Sequence, residues 1–333
     1  MQKITLLKGD GIGPEIVTSV LAIFDKLQLP IEFDEQLLGQ AAIEAYGDPL
    51  PPETLASIKA NKTVLKAPYK TEVASGFRSV NVSLRQQLQL YANLRPIDST
   101  IFGSERYGPL NFAILRENTE DLYVGEEQVV KADQEVTAIK RITRLASQRI
   151  IKYAFDYARS FGFTKVTCVH KANILKLSDG LFLTVFQEIA ADYPDIKADD
   201  LIVDNAALQL VINPQQFQVL VMPNLYGDIL SDLASGLIGG LGLAPSANIG
   251  EHYALFEACH GCAPDLAGKN LANPSALILS ACLMLEHLGY NEAGTKIKAA
   301  LQATLASGAK TADLGGQLGT SEFTSALLSF LRP

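Results

Sequence analysis

Short apolar runs recur along the chain between longer, helically periodic stretches. Lys3-Ile4-Thr5-Leu6-Leu7, Phe112-Ala113-Ile114-Leu115, Lys165-Val166-Thr167-Cys168-Val169, Leu201-Ile202-Val203 and Val219-Leu220-Val221-Met222 each have the length of a buried strand. After the first run, Pro14 suits the opening turn of a helix whose apolar face is Ile16, Val17, Val20, Leu21 and Phe24. A second helix starts at Ser79, an N-cap residue type, and places Asn81 and Arg85 on one face, with Pro96 expected to end it. A long helix is expected from about Arg144 to Phe161, stopped by Gly162. The weak alternation from Val124 to Ile142 reads instead as a strand arm. Strands alternating with helices predict an α/β protein.

Composition narrows the class. At 333 residues the chain is long enough for two lobes, and no repeat or low-complexity linker interrupts it. Its formal net charge is -8, and no Lys/Arg cluster is interleaved with aromatics, so a nucleic-acid surface is not expected. The apolar run near Ile278 to Leu285 is too short to span a bilayer, and Asp232 interrupts the other candidate. Lys3 to Leu7 already reads as a strand, so no leader peptide is expected at the start. Cys168, Cys259, Cys262 and Cys282 form no disulfide framework, which fits a reducing compartment. The Cys259-x-x-Cys262 spacing has no second pair, which argues against zinc.

Gly9-Asp10-Gly11-Ile12-Gly13-Pro14-Glu15 sits between strand and helix, where a dinucleotide fingerprint would lie. Pro14 occupies the place of its third glycine, and no acidic residue is expected to close a second strand about 20 residues on. A Rossmann reading is therefore rejected, and the glycines are expected to let the turn approach other backbone. Asp228 and Asp232, following the buried run Val219 to Met222, stand at i and i+4 of a new helix and converge on one spot. Such a pair suits a hard divalent cation with oxygen ligands, although an N-capping Asp followed by a solvated one has the same spacing. Arg85, Arg95 and Arg116 are expected at element ends, where they could pair with the carboxylates of an anionic ligand. Lys171 and Asp204 arrive at the ends of two predicted strands, where ligand sites of open α/β sheets lie.

Taken together these segments closely resemble the metal-dependent decarboxylating dehydrogenases of 2-hydroxy acids, the isocitrate and 3-isopropylmalate dehydrogenases. The resemblance runs from Gly9 to Thr324 and is most specific at Asn224-Leu225-Tyr226-Gly227-Asp228-Ile229-Leu230-Ser231-Asp232. It implies Mg²⁺ or Mn²⁺ held by Asp228 and Asp232, with Asp204 supplied by the second subunit of a homodimer. It also implies Lys171 as a proton-transfer residue from the partner and Tyr123 as the acid opposite it. Arg85, Arg95 and Arg116 are implied to clamp substrate carboxylates. NAD is implied to bind along the loop from Leu255 to Gly268, through Glu257, His260, Gly261, Ala263, Asp265 and Leu266, and also at Thr71, Asn173 and Asn273.

Two details refine the resemblance. Asp265-Leu266 replaces the Lys-Tyr of NADP-preferring relatives, and a carboxylate there repels a 2′-phosphate. Ser79 and Asn81 are polar where an isopropyl group would need apolar neighbours, so isocitrate is the expected substrate. Homoisocitrate, one methylene longer, and 3-isopropylmalate are the competing substrates, and a non-catalytic regulatory subunit is the alternative of a different class. Lys70 precedes Thr71 where many relatives have a second threonine. The expected architecture is a two-lobed dehydrogenase fold of mixed sheets flanked by helices. The cofactor-side lobe comprises residues 1–90 and 239–333; the dimerisation and metal-side lobe comprises 91–238, with a clasp arm at about 124–142. A cytoplasmic enzyme is expected, with a mature mitochondrial form as the secondary alternative.

Overall fold

The structure is a computed structural model that describes residues 1–70, 79–103 and 106–332. The chain opens with β1 (Gln2–Leu7), α1 (Gly13–Lys26), β2 (Ile31–Gln36), α2 (Gln40–Tyr46), α3 (Pro52–Asn61) and β3 (Thr63–Lys66). It continues through α4 (Val80–Gln87), β4 (Ala92–Asp98), β5 (Asn111–Glu117), the hairpin β6 (Glu127–Lys131) and β7 (Glu135–Ala138), and α5 (Arg144–Ser160). Then come β8 (Lys165–His170), α6 (Ser178–Ala190), β9 (Lys197–Ile202), α7 (Val203–Ile212), β10 (Val219–Met222) and α8 (Asn224–Leu237). The last part is β11 (Pro245–Ile249), β12 (Ala254–Ala258), α9 (Ser275–His287), α10 (Asn291–Ala306) and α11 (Thr320–Phe330).

Ten of these strands form one mixed sheet in the order β2-β1-β3-β12-β11-β4-β5-β10-β8-β9. Its centre is antiparallel, through β12-β11, β11-β4 and β4-β5, and both flanks are parallel. The five strands on one side come from the two ends of the chain, and the five on the other come from its middle. The pair β11-β4 is the seam between them.

Inner parallel strands such as β8 and β10 are buried along their length because helices cover both faces, whereas the edge strands β2 and β9 are partly exposed. One face packs on α1, α5, α6, α9 and α10 in a single core containing Ile16, Phe155, Phe182, Leu277 and Leu301. Opposite lie two smaller cores, one with α7 and α8 around Leu210 and Leu230, the other with α3 and α4 around Ile58 and Leu84. Helix α9 is buried nearly all round, which is why its sequence shows little amphipathic periodicity. The strand arm expected at 124–142 is the hairpin β6-β7, a separate two-stranded sheet whose residues are all exposed.

Three expectations are corrected. Pro96 does not end a helix; it lies inside β4. The neighbouring β11 pairs with β4 only over Ala92–Leu94, so the missing Pro96 N–H costs no bond on that side. An acidic pair does stand near the end of a second strand: Asp34 and Glu35 lie in β2, which runs parallel to β1. Asp34 is occupied by Ser57 and Asn61 at 2.7 and 3.1 Å, and Glu35 by Lys8 at 2.7 Å. Finally, α1 buries Ile23 fully and Leu21 only in part. The glycine turn behaves as expected, since a Cβ on Gly9 would lie 2.0 Å from the Pro68 carbonyl oxygen, and one on Gly11 2.0 Å from that of Cys262.

Candidate active site

Helix α8 begins at Asn224, behind Pro223, so Asp228 and Asp232 lie in its second and third turns. Neither caps the helix, which removes the capping interpretation of the pair. Both carboxylates turn to one cation: Arg95 on β4 donates from Nη1 to Asp232 at 2.8 Å and lies 3.6 Å from Asp228. The same Nη1 donates to Ser231 Oγ at 2.6 Å, and Arg95 Nε donates to Asn93 at 3.0 Å. Arg116, at the end of β5, pairs with Asp228 and donates from Nε to Asn224 at 2.9 Å. Its guanidinium also lies 4.9 Å from the centre of the Tyr123 ring, whose hydroxyl donates to Asp228 at 2.5 Å.

These contacts set the charges. Burial pushes the Asp228 carboxyl up, but Arg116, the Tyr123 hydrogen bond and Arg95 outweigh it and hold it below the ordinary carboxylate range. Arg116 is 1% exposed; burial, then the like charges of Arg85 and Arg95, bring its guanidinium down to about 10. Burial, then the bond to Asp228, raises the Tyr123 hydroxyl above its usual value, so it stays protonated near neutral pH. The cluster is thus three arginines, two aspartates and a phenol with its proton in place.

Arg85, in the last turn of α4, faces a cleft of about 180 Å³ whose lining includes Asn81, Arg95, Glu257, His260 and Gly261. Arg85 lies 3.7 Å from Glu257, which is buried and paired with Lys66 at 2.6 Å and Asn248 at 2.9 Å. Burial alone would raise the Glu257 carboxyl, but Lys66 and Arg85 hold it down to about 2. Ser79 takes the N-cap position of α4 without a side-chain capping bond. The Tyr69 hydroxyl, which accepts from Asn81 N at 3.0 Å, caps that turn instead.

The loop expected to take a nucleotide follows β12. Ile12 N donates to Cys262 O at 2.9 Å, which locks the loop onto the glycine turn after β1. His260 Nδ1 contacts Gly261 O at 3.0 Å, while its buried Nε2 has no protein partner; burial lowers its pKa, so the ring is neutral. Asp265 is exposed and Leu266 half-buried, whereas Asn273 is buried and engaged with Asp313 and Ser275. Asn173 is exposed, and Thr71 lies outside the described residues. All four cysteines are free thiols, and among the described residues no helix is long and apolar enough to cross a membrane.

Lys171 and Asp204 are not part of the Asp228 cluster. Lys171 follows β8 and pairs with Asp204, in the first turn of α7, within the same chain. Among the described residues no three His, Cys, Asp or Glu side chains of one chain gather around a single point.

Several neighbours of the cluster went unassigned in the sequence. Gly227 lies against Arg116: a Cβ there would come within 2.4 Å of Arg116 Cγ. Lys66 is a 2% exposed lysine closing an all-buried strand, a pattern that signals a buried charge partner. Asn224 and Ser231 are fully buried acceptors beside the two aspartates, polar residues whose roles only the packing reveals.

A carboxylate pair and clustered arginines stand on a mixed sheet whose antiparallel centre no Rossmann domain has. The isocitrate/isopropylmalate dehydrogenase family matches residues 3–327, and the chain belongs to it. It is 49% identical over 330 residues to isocitrate dehydrogenase [NAD] catalytic subunit 5, mitochondrial, of Arabidopsis thaliana, covering 98% of this chain and 88% of that protein. It is 48% identical over 330 residues to the 3-isopropylmalate dehydrogenase of Methanothermobacter thermautotrophicus, covering 99% and 98% respectively. The crystal structure of isocitrate dehydrogenase from Methylococcus capsulatus superposes with a TM-score of 0.96 at 49% identity, covering 100% of both chains.

Proposed function

We propose that the protein is an NAD-dependent isocitrate dehydrogenase that oxidises and decarboxylates isocitrate to 2-oxoglutarate and CO₂. The observation that carries this reading is the convergence of Arg95, Arg116 and Tyr123 on the Asp228–Asp232 pair, at the edge of a cleft lined by Asn81 and Arg85. A substrate with three carboxylates needs several fixed cations, and a buried guanidinium binds a carboxylate in a planar, bidentate manner. Polar Ser79 and Asn81 at the start of α4 favour isocitrate over the isopropyl-bearing analogue.

The donor set fits a divalent cation. Asp228 and Asp232 lie one helical turn apart, are partly open to solvent and already share one positive centre, Arg95. Both supply only hard oxygen ligands, as Mg²⁺ or Mn²⁺ requires. Asp204 of a second copy would complete the set. When bound, such a cation supplies Lewis-acid stabilisation of negative charge on the substrate oxygen at C2.

Side chains of the two copies do the rest. Arg85, Arg95 and Arg116 bind and orient the carboxylates. The second copy supplies Lys171 and Asp204, which are hydrogen-bonded to each other within each chain, and this pair takes the hydroxyl proton while hydride leaves C2 for NAD. Tyr123 holds the proton delivered to carbon after CO₂ departs. The neutral His260 ring and exposed Asp265 would receive the adenosine portion of NAD, and the Asp265 carboxylate disfavours a 2′-phosphate.

The active unit is a dimer with shared sites. Leu208 and Ile212 on α7 and Ile229 on α8 are 53, 64 and 57% exposed, and the arm adds exposed Val129, Val136 and Ile139. Exposed apolar side chains on these elements support an assembly face. The division at 90/91 and 238/239 makes the β11-β4 seam the hinge between two lobes, and a reducing compartment suits the free thiols.

NADH absorbance tests the function with isocitrate, homoisocitrate and 3-isopropylmalate, each with NAD or NADP. The reading requires the highest kcat/KM for isocitrate with NAD. Preference for 3-isopropylmalate, or no turnover with any of the three, overturns it.

A further inference from the structure

We propose that Asp179 is a positioning residue that fixes the Lys171 turn against the start of α8 and the base of the clasp arm, and so aims Lys171 into the site of the second copy. Asp179 lies in the first turn of α6 and is fully buried. Two hydrogen-bond donors and one ammonium group, from three separate segments, meet it. Lys171 N donates to Oδ2 at 2.7 Å, the Tyr226 hydroxyl donates to the same oxygen at 2.9 Å, and Lys140 Nζ lies 2.7 Å from Oδ1. Lys140 also stands 4.3 Å from the Tyr226 ring centre and 3.7 Å from Asp121 Oδ1. Asp121, likewise fully buried, accepts from Leu225 N at 2.8 Å.

Each of the three segments carries a part of the site. Lys171 opens the turn after β8, Tyr226 stands two residues before Asp228 on α8, and Lys140 closes the arm. The side chains of the turn hold it only weakly. Lys171's side chain is 28% exposed and its partner Asp204 is 69% exposed. Ile174 and Leu177 point outward at 67 and 90% exposure. Its local bonds are Ala172 N donating to His170 Nδ1 at 3.0 Å, Ile174 N and Leu175 N donating to Lys171 O at 3.0 and 2.9 Å, and Asp179 N donating to Leu175 O at 3.1 Å, and none of these ties the turn to α8 or to the arm.

Removing a carboxylate from water is costly unless its oxygens are satisfied, and a satisfied one is correspondingly rigid. Two hydrogen bonds to Oδ2 and the charge of Lys140 beside Oδ1 offset that cost here, and all three groups come from outside α6. One buried group therefore sets the spacing between the Lys171 backbone, the arm and the start of α8. A displacement of about 1 Å at such a point can cost on the order of 100-fold in rate. This inference rests on the role proposed above for Lys171.

The test is Asp179→Asn, which keeps the shape and removes the charge, with Tyr226→Phe as a milder second variant. Hydrogen–deuterium exchange on the unliganded dimer reads the anchoring without any need for turnover. In Asp179→Asn the peptide spanning 171–177 and the arm base should exchange about tenfold faster while α5 and α9 keep wild-type protection. With isocitrate, kcat should fall by about tenfold or more and KM stay within about twofold, because Arg85, Arg95 and Arg116 are untouched. Unchanged exchange at 171–177, or unchanged kcat in a folded variant, overturns the proposal. So does a uniform loss of protection with activity falling only as the folded fraction falls, which marks a plain structural staple. If Asp179→Asn does not fold, Tyr226→Phe decides: faster exchange at 171–177 with lower kcat supports the anchor, and wild-type behaviour in both overturns it. If the wild-type protein turns over none of the hydroxy acids, the proposed function fails, while the exchange experiment still judges the anchor.

Discussion

Replacing Gly227 with alanine adds one methyl group at the point where α8 crosses β5. That carbon would lie 2.4 Å from Arg116 Cγ, 2.5 Å from its Cβ and 3.1 Å from its Cα. The last of these is backbone in a central strand, so rotating the arginine side chain cannot relieve the clash. Forcing a methyl into packed structure costs about 1–3 kcal/mol, against a helix-propensity gain of roughly 1 kcal/mol for alanine over glycine. Gly236 isolates the two effects, because it lies in the same helix, is exposed, and would present its Cβ to open space. Gly236→Ala should therefore stabilise by about 0.4–1 kcal/mol, and Gly227→Ala should fall about 1–3 kcal/mol below it. The functional effect should be larger than the structural one. Pushing α8 from β5 loosens Arg116 from Asn224 and Asp228, and losing a hydrogen bond to a charged group is worth about 1.5–3 kcal/mol, or roughly tenfold or more in kcat/KM. Urea denaturation of the two variants, with isocitrate kinetics on each, gives both numbers. Equal stability of the two variants with wild-type kcat/KM in both would refute the claim that Gly227 is the space through which Arg116 reaches the site.

Three further outcomes follow. Glu257→Gln strands Lys66 and Arg85 as buried cations and should cost about 3–5 kcal/mol at pH 7. Because the Glu257 carboxyl is held down to about 2, that stability is present above the ordinary carboxylate range and lost as pH falls towards 2, so denaturation at pH 7 and pH 3 should show the gap closing. Glu120 behaves oppositely: burial pushes its carboxyl up to about 7 from 4.5 despite donation from Thr143 N and Oγ1, both at 2.8 Å. The folded state keeps that proton while the unfolded state sheds it, so stability falls between pH 4.5 and 7. Glu120→Gln should remove this fall and be more stable than wild type at pH 8 by about 1–2 kcal/mol after allowing for solvent screening, with little difference at pH 5. Leu208→Asp combined with Ile212→Asp should convert the dimer to a monomer in gel filtration and abolish NADH formation; an active monomer contradicts shared sites.

The elements around the site were legible to different degrees, for physical reasons. Asp228 and Asp232 follow a four-residue apolar strand closed by Pro223, and helical spacing alone places them on one side, as the structure does. The arm was visible as alternation, and α5 ends at Ser160, close to the Gly162 stop. Arg95 was misplaced because Pro96 signals a break, whereas in β4 it sits where no strand takes its missing donor. Strand β2 was missed because it lies at the sheet edge, and its half-exposed, acidic sequence lacks an apolar run. The cap of α4 comes from Tyr69, a residue ten positions before Ser79, which no local capping rule can see. Lys66, Glu257 and Asp179 are charges whose partners are distant in sequence. Their roles emerge only once the sheet order brings β3 beside β12 and the arm beside α6.

The central claim is a site assembled from two chains, with Asp228 and Asp232 from one and Asp204 from the other. Mixing subunits tests it directly: Asp204→Asn and Asp228→Asn are each prepared alone, then denatured, mixed in equal amounts and refolded. Each homodimer should be inactive. In a two-fold symmetric dimer half the molecules are mixed and one of their two sites regains every carboxylate, so the mixture should recover about one quarter of wild-type NADH formation from isocitrate. Full activity in the Asp204→Asn homodimer, or no recovery on mixing, would contradict the account.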